Sequence, residues 1–148
     1  MSTEFFGKTL SGPFTIPSGI VSTAVPIIQY VFDHMPEVGV LTTKSIGLEP
    51  RAGYREPILS QYAPGCFVNA VGLTNPGAHK SAELMAQLRV PEDRFLLTSI
   101  FGGSIAEFVE VAKIMAPVSD GLELNLSCPC LLYTSPSPRD LLSHLVCR

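Results

Sequence analysis

Short apolar or β-branched runs alternate along this chain with stretches whose apolar residues recur at helical spacing. Phe14 to Ile16 is an apolar run closed by Pro17-Ser18-Gly19, which predicts a strand and then a turn. Val25, Ile28, Val31, Phe32 and Met35 predict a helix over 25–35, with Pro26 in its first turn. Val38 to Thr43 predicts a second, buried strand that delivers Lys44 and Ser45 to its carboxyl end. Residues 46–57 hold glycine, proline and charge, and predict a loop. Residues 58–71 predict a strand pair broken at Pro64-Gly65. A helix follows over 78–88, with Leu84, Met85 and Leu88 on one face. A third core strand spans 94–100. Ser104 caps a helix over 105–115 that turns Phe108, Val111, Ala112 and Met115 inward. A fourth buried strand spans 121–126.

Strands and helices in this alternation predict parallel βα units. The pattern fits the first half of an eight-stranded barrel or an open doubly wound sheet, and periodicity does not choose between them. No G-x-G-x-x-G follows the first strand, which weakens the dinucleotide-sheet option.

Composition narrows the classes. Of 148 residues, 46% are hydrophobic and 16% charged, too apolar for a disordered chain and suited to strands covered on both faces. The net charge of -3 comes without a Lys/Arg block, so nucleic acid is not an expected partner. The start of the chain does not read as a secretory signal, and no run is long enough to span a membrane, so a cytoplasmic, membrane-free protein is expected. Four cysteines are too few and too irregular for a disulfide scaffold. Cys128-x-Cys130 lacks a second ligand pair, so no metal site is expected.

In a parallel barrel, chemistry collects where strands end. The residues placed there are Ser18 and Gly19, Lys44 and Ser45, Ser99, and Asn125 with Cys128. Lys44 is either a lysine snorkelling from the sheet or a fixed cation facing an anionic ligand. Asn69 to Gly77 is rich in turn formers. It reads either as a plain connection or as a recognition loop using the amides of Asn69 and Asn75 and the bare backbone of Gly72. Cys128 is either a small buried hydrophobe or a base; an ordinary thiol pKa of about 8.5 lets it hold and release a proton near neutrality. His34 and His79 read as surface residues.

The blocks Pro17-Ser18-Gly19, Thr43-Lys44-Ser45, Pro50-Arg51-x-Gly53, Asn69-Ala70-Val71-Gly72-Leu73-x-Asn75-Pro76-Gly77 and Glu123-Leu124-Asn125-Leu126-Ser127-Cys128-Pro129, in that order, resemble the class 1 dihydroorotate dehydrogenases, with the NAD-linked class 1B branch the more similar. The resemblance implies a (β/α)8 barrel carrying FMN that oxidises (S)-dihydroorotate to orotate in pyrimidine biosynthesis. It implies Cys128 as the base that takes the carbon-5 proton, while hydride from carbon 6 passes to the flavin. It implies flavin contacts at Ser18, Gly19, Lys44, Ser45, Ser99 and Asn125. Substrate contacts are implied at Lys44, Asn69, Ala70, Val71, Gly72, Leu73 and Asn125. An iron-sulfur electron-transfer subunit is implied for class 1B, together with a homo-oligomeric parent enzyme. A dihydropyrimidine dehydrogenase-like flavoenzyme is the alternative within the same chemistry.

Such barrels need about 250 residues. The fold class expected here is therefore the N-terminal half of a (β/α)8 barrel, ending after the fourth core strand. Residues 1–129 are expected to form the partial flavin barrel. Residues 130–148 resemble translated sequencing-adapter sequence, expected to be artefactual and disordered. The chain by itself is then expected to be an inactive fragment of an active parent.

Overall fold

The computed structural model describes residues 3–22 and 24–126. Its centre is a four-stranded parallel sheet of β3 (Phe14–Ile16), β4 (Val38–Thr42), β7 (Phe95–Ile100) and β8 (Gly121–Leu124), in that order. The crossovers carry α1 (Val25–His34), α2 (Ala78–Met85) and α3 (Ile105–Met115). Two antiparallel hairpins stand outside the sheet: β1 (Thr3–Phe5) with β2 (Lys8–Leu10), and β5 (Leu59–Ala63) with β6 (Cys66–Asn69).

The helices form where apolar spacing demands it. Ile28, Val31 and Phe32 of α1 pack on Leu41 of β4 and Leu96 of β7. Met85 of α2 and Val111 and Met115 of α3 share a second cluster with Ile46 and Ile100. Ser104 Oγ accepts the Glu107 N–H at the start of α3, while the Glu107 carboxylate accepts from Gly103 N. These reciprocal contacts satisfy donors that the helix leaves open at its first turn. Two helix boundaries move inward from the expected ones. Met35 leaves α1 as its C-cap and is 43% exposed. The last residues of the expected second helix form a turn after Met85, although Leu88 still packs against the core.

The β1–β2 hairpin has no counterpart in the strand pattern read from sequence, because its strands are only three residues long. Its turn places Phe6 and Gly7 at φ 47° and 77°, the paired positive φ of a tight hairpin turn. Phe5 stacks edge-on against Phe95, and Leu10 joins Val40 and Phe95 in a third cluster. Lys8 Nζ donates to Arg94 O and pairs with Asp120, just ahead of β7 and β8. The hairpin therefore closes the amino end of the sheet. Arg94, 5% exposed, donates from Nη1 to Met35 O and Val38 O, tying the start of β7 to the start of β4.

The segment 123–126 is a correction. A buried strand was expected, but β8 lies at the sheet edge, with Leu124 56% and Leu126 45% exposed. Alternating apolar residues record what a strand is meant to bury, and among the described residues nothing pairs with its outer edge.

Candidate active site

All four core strands are parallel, so their carboxyl ends share one rim. Each end delivers a small polar side chain. Ser18 follows β3, Ser45 follows β4, Ser99 belongs to β7 and Asn125 follows β8. Ser45 Oγ is the meeting point. It lies 3.4 Å from Ser18 Oγ and 2.9 Å from Ser99 Oγ, and accepts from Asn125 Nδ2 at 2.9 Å. A hydroxyl offers one proton and two lone pairs, so these three contacts use its full capacity. Ser45 and Ser99 are buried beneath the rim, while Ser18 and Asn125 are half-buried at its surface. Backbone bonds fix the register: Ile46 N donates to Ser99 O, and Asn125 N to Ile100 O.

Lys44 stands beside this cluster. Thr43 Oγ1 donates to Lys44 O and accepts from Ser99 N, and Lys44 N donates to Ser22 O, so the lysine's backbone is held from both sides. Its ammonium has no carboxylate within ion-pair distance among the described residues. Lys44 and Gly19 line a cavity of about 750 Å³, together with Val71 and Ile58. Gly19 has φ 91°, and no atom lies within 4 Å of where a side chain would begin. That open face suits close approach by a flat ligand.

The rim thus offers a cation without an acidic partner among the described residues, amide and hydroxyl groups at fixed positions, and bare backbone. This set is suited to a planar anionic ring with several acceptors.

A family model described as "Dihydroorotate dehydrogenase" matches residues 1–137. The chain belongs to the dihydroorotate dehydrogenase family.

Three similar relatives carry the name "Dihydroorotate dehydrogenase B (NAD(+)), catalytic subunit". The Pyrococcus abyssi protein is 36% identical over 129 residues, 87% of this chain and 42% of the relative. The Pyrococcus furiosus protein is 38% identical over 126 residues, 85% of this chain and 40% of the relative. The Thermococcus kodakarensis protein is 39% identical over 129 residues, 87% and 41%. The chain therefore spans about two-fifths of the length of these relatives. The family fold is the (β/α)8 barrel, and the parallel βα units described here are a consecutive part of one.

Within this family frame, two motifs distant in sequence form one structural unit. Arg51 N donates to Asn75 O, and Asn75 N to Arg51 O. A side chain at Gly53 would meet Thr74 Oγ1 and the Val71 carbonyl at 2.0 and 2.4 Å, so only glycine lets the two segments touch. The Arg51 guanidinium lies 5.8 Å from the centre of the Phe101 ring. Phe101 in turn presses on Gly47, where a Cβ would meet the ring at 2.4 Å.

This clamp changes the reading of the 69–77 loop. The Asn75 side-chain oxygen Oδ1 accepts from Gly47 N and Gly77 N, and Nδ2 donates to Leu73 O, so Asn75 is a strut and not a free recognition group. The bare face of Gly72 rests on Tyr54, whose N lies 2.8 Å from where its Cβ would be. Leu73 is buried at φ 57°. Val71 reaches the cavity with Lys44, while Asn69 and Ala70 are exposed at the end of the β5–β6 hairpin. Cys128, the expected base, lies outside the described residues, as does the segment from Cys130 onward.

Two positions escaped sequence reasoning. Thr43 supports both Lys44 and Ser99, a role that its place in the Thr43-Lys44-Ser45 block did not reveal, because it closes a β-branched run. Ser22 is 1% exposed, is among the residues lining the cavity, and its hydroxyl has no hydrogen-bond partner among the described residues. A serine between a turn and a helix carries no signal of burial.

Proposed function

We propose that this chain supplies the flavin- and substrate-facing rim of an enzyme that oxidises (S)-dihydroorotate to orotate. The observation that carries this reading is the convergence of Ser18, Ser45, Ser99 and Asn125 beside Lys44, on one rim, in a chain of this family. The residues present fit FMN: Gly19 leaves open space, Lys44 brings a positive charge with no carboxylate within ion-pair distance among the described residues, and Ser18 and Asn125 stand half-buried at the surface. FMN, when bound, supplies the two-electron acceptor that the protein itself lacks.

In this reading Lys44 holds negative charge, whether on the substrate carboxylate or on an electron-rich ring. Asn125 orients its ligand because Ser45 accepts its Nδ2 hydrogen and fixes the amide plane. Ser45 and Ser99 act from below as supports for the ligand-contacting tips. Val71, with Asn69, Ala70, Gly72 and Leu73, forms the substrate-side wall. Cys128 takes the carbon-5 proton as general base. The relatives' NAD-linked, catalytic-subunit names support electron delivery to NAD through a partner subunit, which we place as an iron-sulfur protein. No helix among the described residues is long and apolar enough to cross a membrane, which supports a cytoplasmic setting.

The test is a chimera in which residues 1–129 replace the matching segment of the Thermococcus kodakarensis relative. Dihydroorotate should bleach its flavin, and Cys128→Ala should slow that step by about 10²–10⁴-fold. An unchanged rate removes Cys128 from the chemistry. A chimera that folds and binds FMN but ignores dihydroorotate overturns the substrate.

A further inference from the structure

Strands β4 and β7 pair in plain register up to Thr42, which lies opposite Leu97. The next bridge joins Ile46 to Ile100. Four steps separate Thr42 from Ile46, but three separate Leu97 from Ile100. The β4 side therefore carries one extra residue, the count that defines a β-bulge. The bulge falls on Thr43-Lys44-Ser45, where the sheet meets the candidate site.

This bulge decides which face Ser45 occupies. Side chains alternate along a strand, and residues opposite each other in a parallel pair share a face. Val40 and Leu97 pack with Phe95 on one face, while Leu41 packs with Leu96 and the α1 residues on the other. An unbroken register would set Ser45 opposite Ile100, on the helix-covered face. Instead Ile46 packs with Ile100, Met85 and Val111 there. Ser45 Oγ sits 2.9 Å from Ser99 Oγ, on the face that Ser99 shares with Leu97. The hydroxyl hub that orients Asn125 thus exists because the strand carries an extra residue.

Thr43 completes the ladder that the bulge interrupts. Thr43 N donates to Leu97 O at 2.9 Å, as in a regular parallel pair. In that pattern Ser99 N would donate next to Thr43 O. It donates instead to Thr43 Oγ1, at 3.3 Å, and the ladder resumes with Ile46 N on Ser99 O. The same hydroxyl donates to Lys44 O at 3.1 Å, while Lys44 N donates to Ser22 O outside the ladder. Thr43 is fully buried, so water does not compete for either bond of its hydroxyl. A valine would fill the same space and supply neither bond.

We propose that Thr43 is a positioning residue, whose hydroxyl holds the bulge that sets Ser45 against Ser99 and Asn125 and fixes the backbone of Lys44. It acts through those residues. Its effect on dihydroorotate oxidation rests on the function proposed above, whereas its hold on the bulge does not.

Thr43→Val, which keeps the shape, and Thr43→Ser, which keeps the hydroxyl, test it. Solvent exchange of the Ser99 N–H is read in the 148-residue chain and in the chimera. It should quicken about tenfold in Thr43→Val, the scale of one lost hydrogen bond, and stay near the parent rate in Thr43→Ser. In the flavin-loaded chimera, Thr43→Val should slow flavin reduction by dihydroorotate about 10²-fold, as expected of misplaced ligand contacts. Thr43→Ser should stay within about threefold of the parent, because it retains the donor and acceptor. A packing role gives the opposite order, with serine the slower variant, and that order overturns the proposal. So does Ser99 exchange unchanged by Thr43→Val. If Thr43→Val does not fold, Thr43→Ser decides alone: parent-like exchange and reduction uphold the proposal, and loss of either overturns it. A parent chimera that binds FMN but ignores dihydroorotate sinks the substrate reading only, and Ser99 exchange still decides the role of Thr43.

Discussion

The two ends of the sheet are built on opposite principles. At the amino end the β1–β2 hairpin seals the strands, with Phe5 on Phe95, Lys8 on Asp120, and Arg94 bonded to carbonyls from the α1–β4 junction. At the carboxyl end hydroxyls and an amide interlock, a lysine stands without an acidic partner among the described residues, and a cavity opens beside them. One end spends its polar groups on holding strands together. The other sets a cation and bare backbone beside a cavity. Stability and binding thus occupy opposite poles of the same strands, as barrel architecture favours.

Substitutions sharpen this contrast. Phe95→Ala should have the largest effect, costing about 3–5 kcal/mol, because it empties the cluster that anchors the hairpin. Urea unfolding measures it, and a cost under about 1 kcal/mol would show that the hairpin does not seal the amino end. Arg94→Met should cost about 2–3 kcal/mol by leaving the Met35 and Val38 carbonyls short of a donor, with no effect on ligand binding at the other end. Ser45→Ala reverses the pattern. Its stability cost should be only about 1 kcal/mol, but FMN affinity in the chimera should fall as Asn125 loses its orienting partner. Equal flavin affinity in Ser45→Ala and the parent would break the idea that the buried serines support the rim. Ser104→Ala, at the start of α3, should cost about 1 kcal/mol through the lost cap.

The smallest effect concerns Glu83, whose carboxyl is held below its ordinary range by the hydrogen bond from Lys80 and then by that lysine's charge. Its contribution is present above the unfolded carboxylate range and fades as pH falls through the lowered folded value. The pair is solvent-exposed on α2, so Glu83→Gln should leave the acid unfolding curve almost unmoved. A clear shift of that curve would mean that α2 carries more of the fold than its short length suggests.

Much of this organisation is legible in the residues themselves. The alternation of apolar runs and helical spacings gave the core strands and helices within a few residues, because burial on both faces forces continuous apolar strands. The strand-end positions of Ser18, Lys44, Ser45, Ser99 and Asn125 followed from the same pattern. The short β1–β2 hairpin did not, since three-residue strands carry no periodicity. Nor did the exposure of β8, because a sequence records the apolar face but not whether a neighbour covers it.

The order of residues by itself determined that parallel strands would carry polar groups to one rim, and which side chains those would be. Only the tertiary structure decided which of them face outward and which hold the others in place: Ser45 as hub, Asn75 as strut, Ser22 buried. The reason is physical. Periodicity reports which face of an element turns inward, whereas a hydroxyl's or amide's role depends on donors and acceptors brought from tens of residues away. Those distances close only when the strands align.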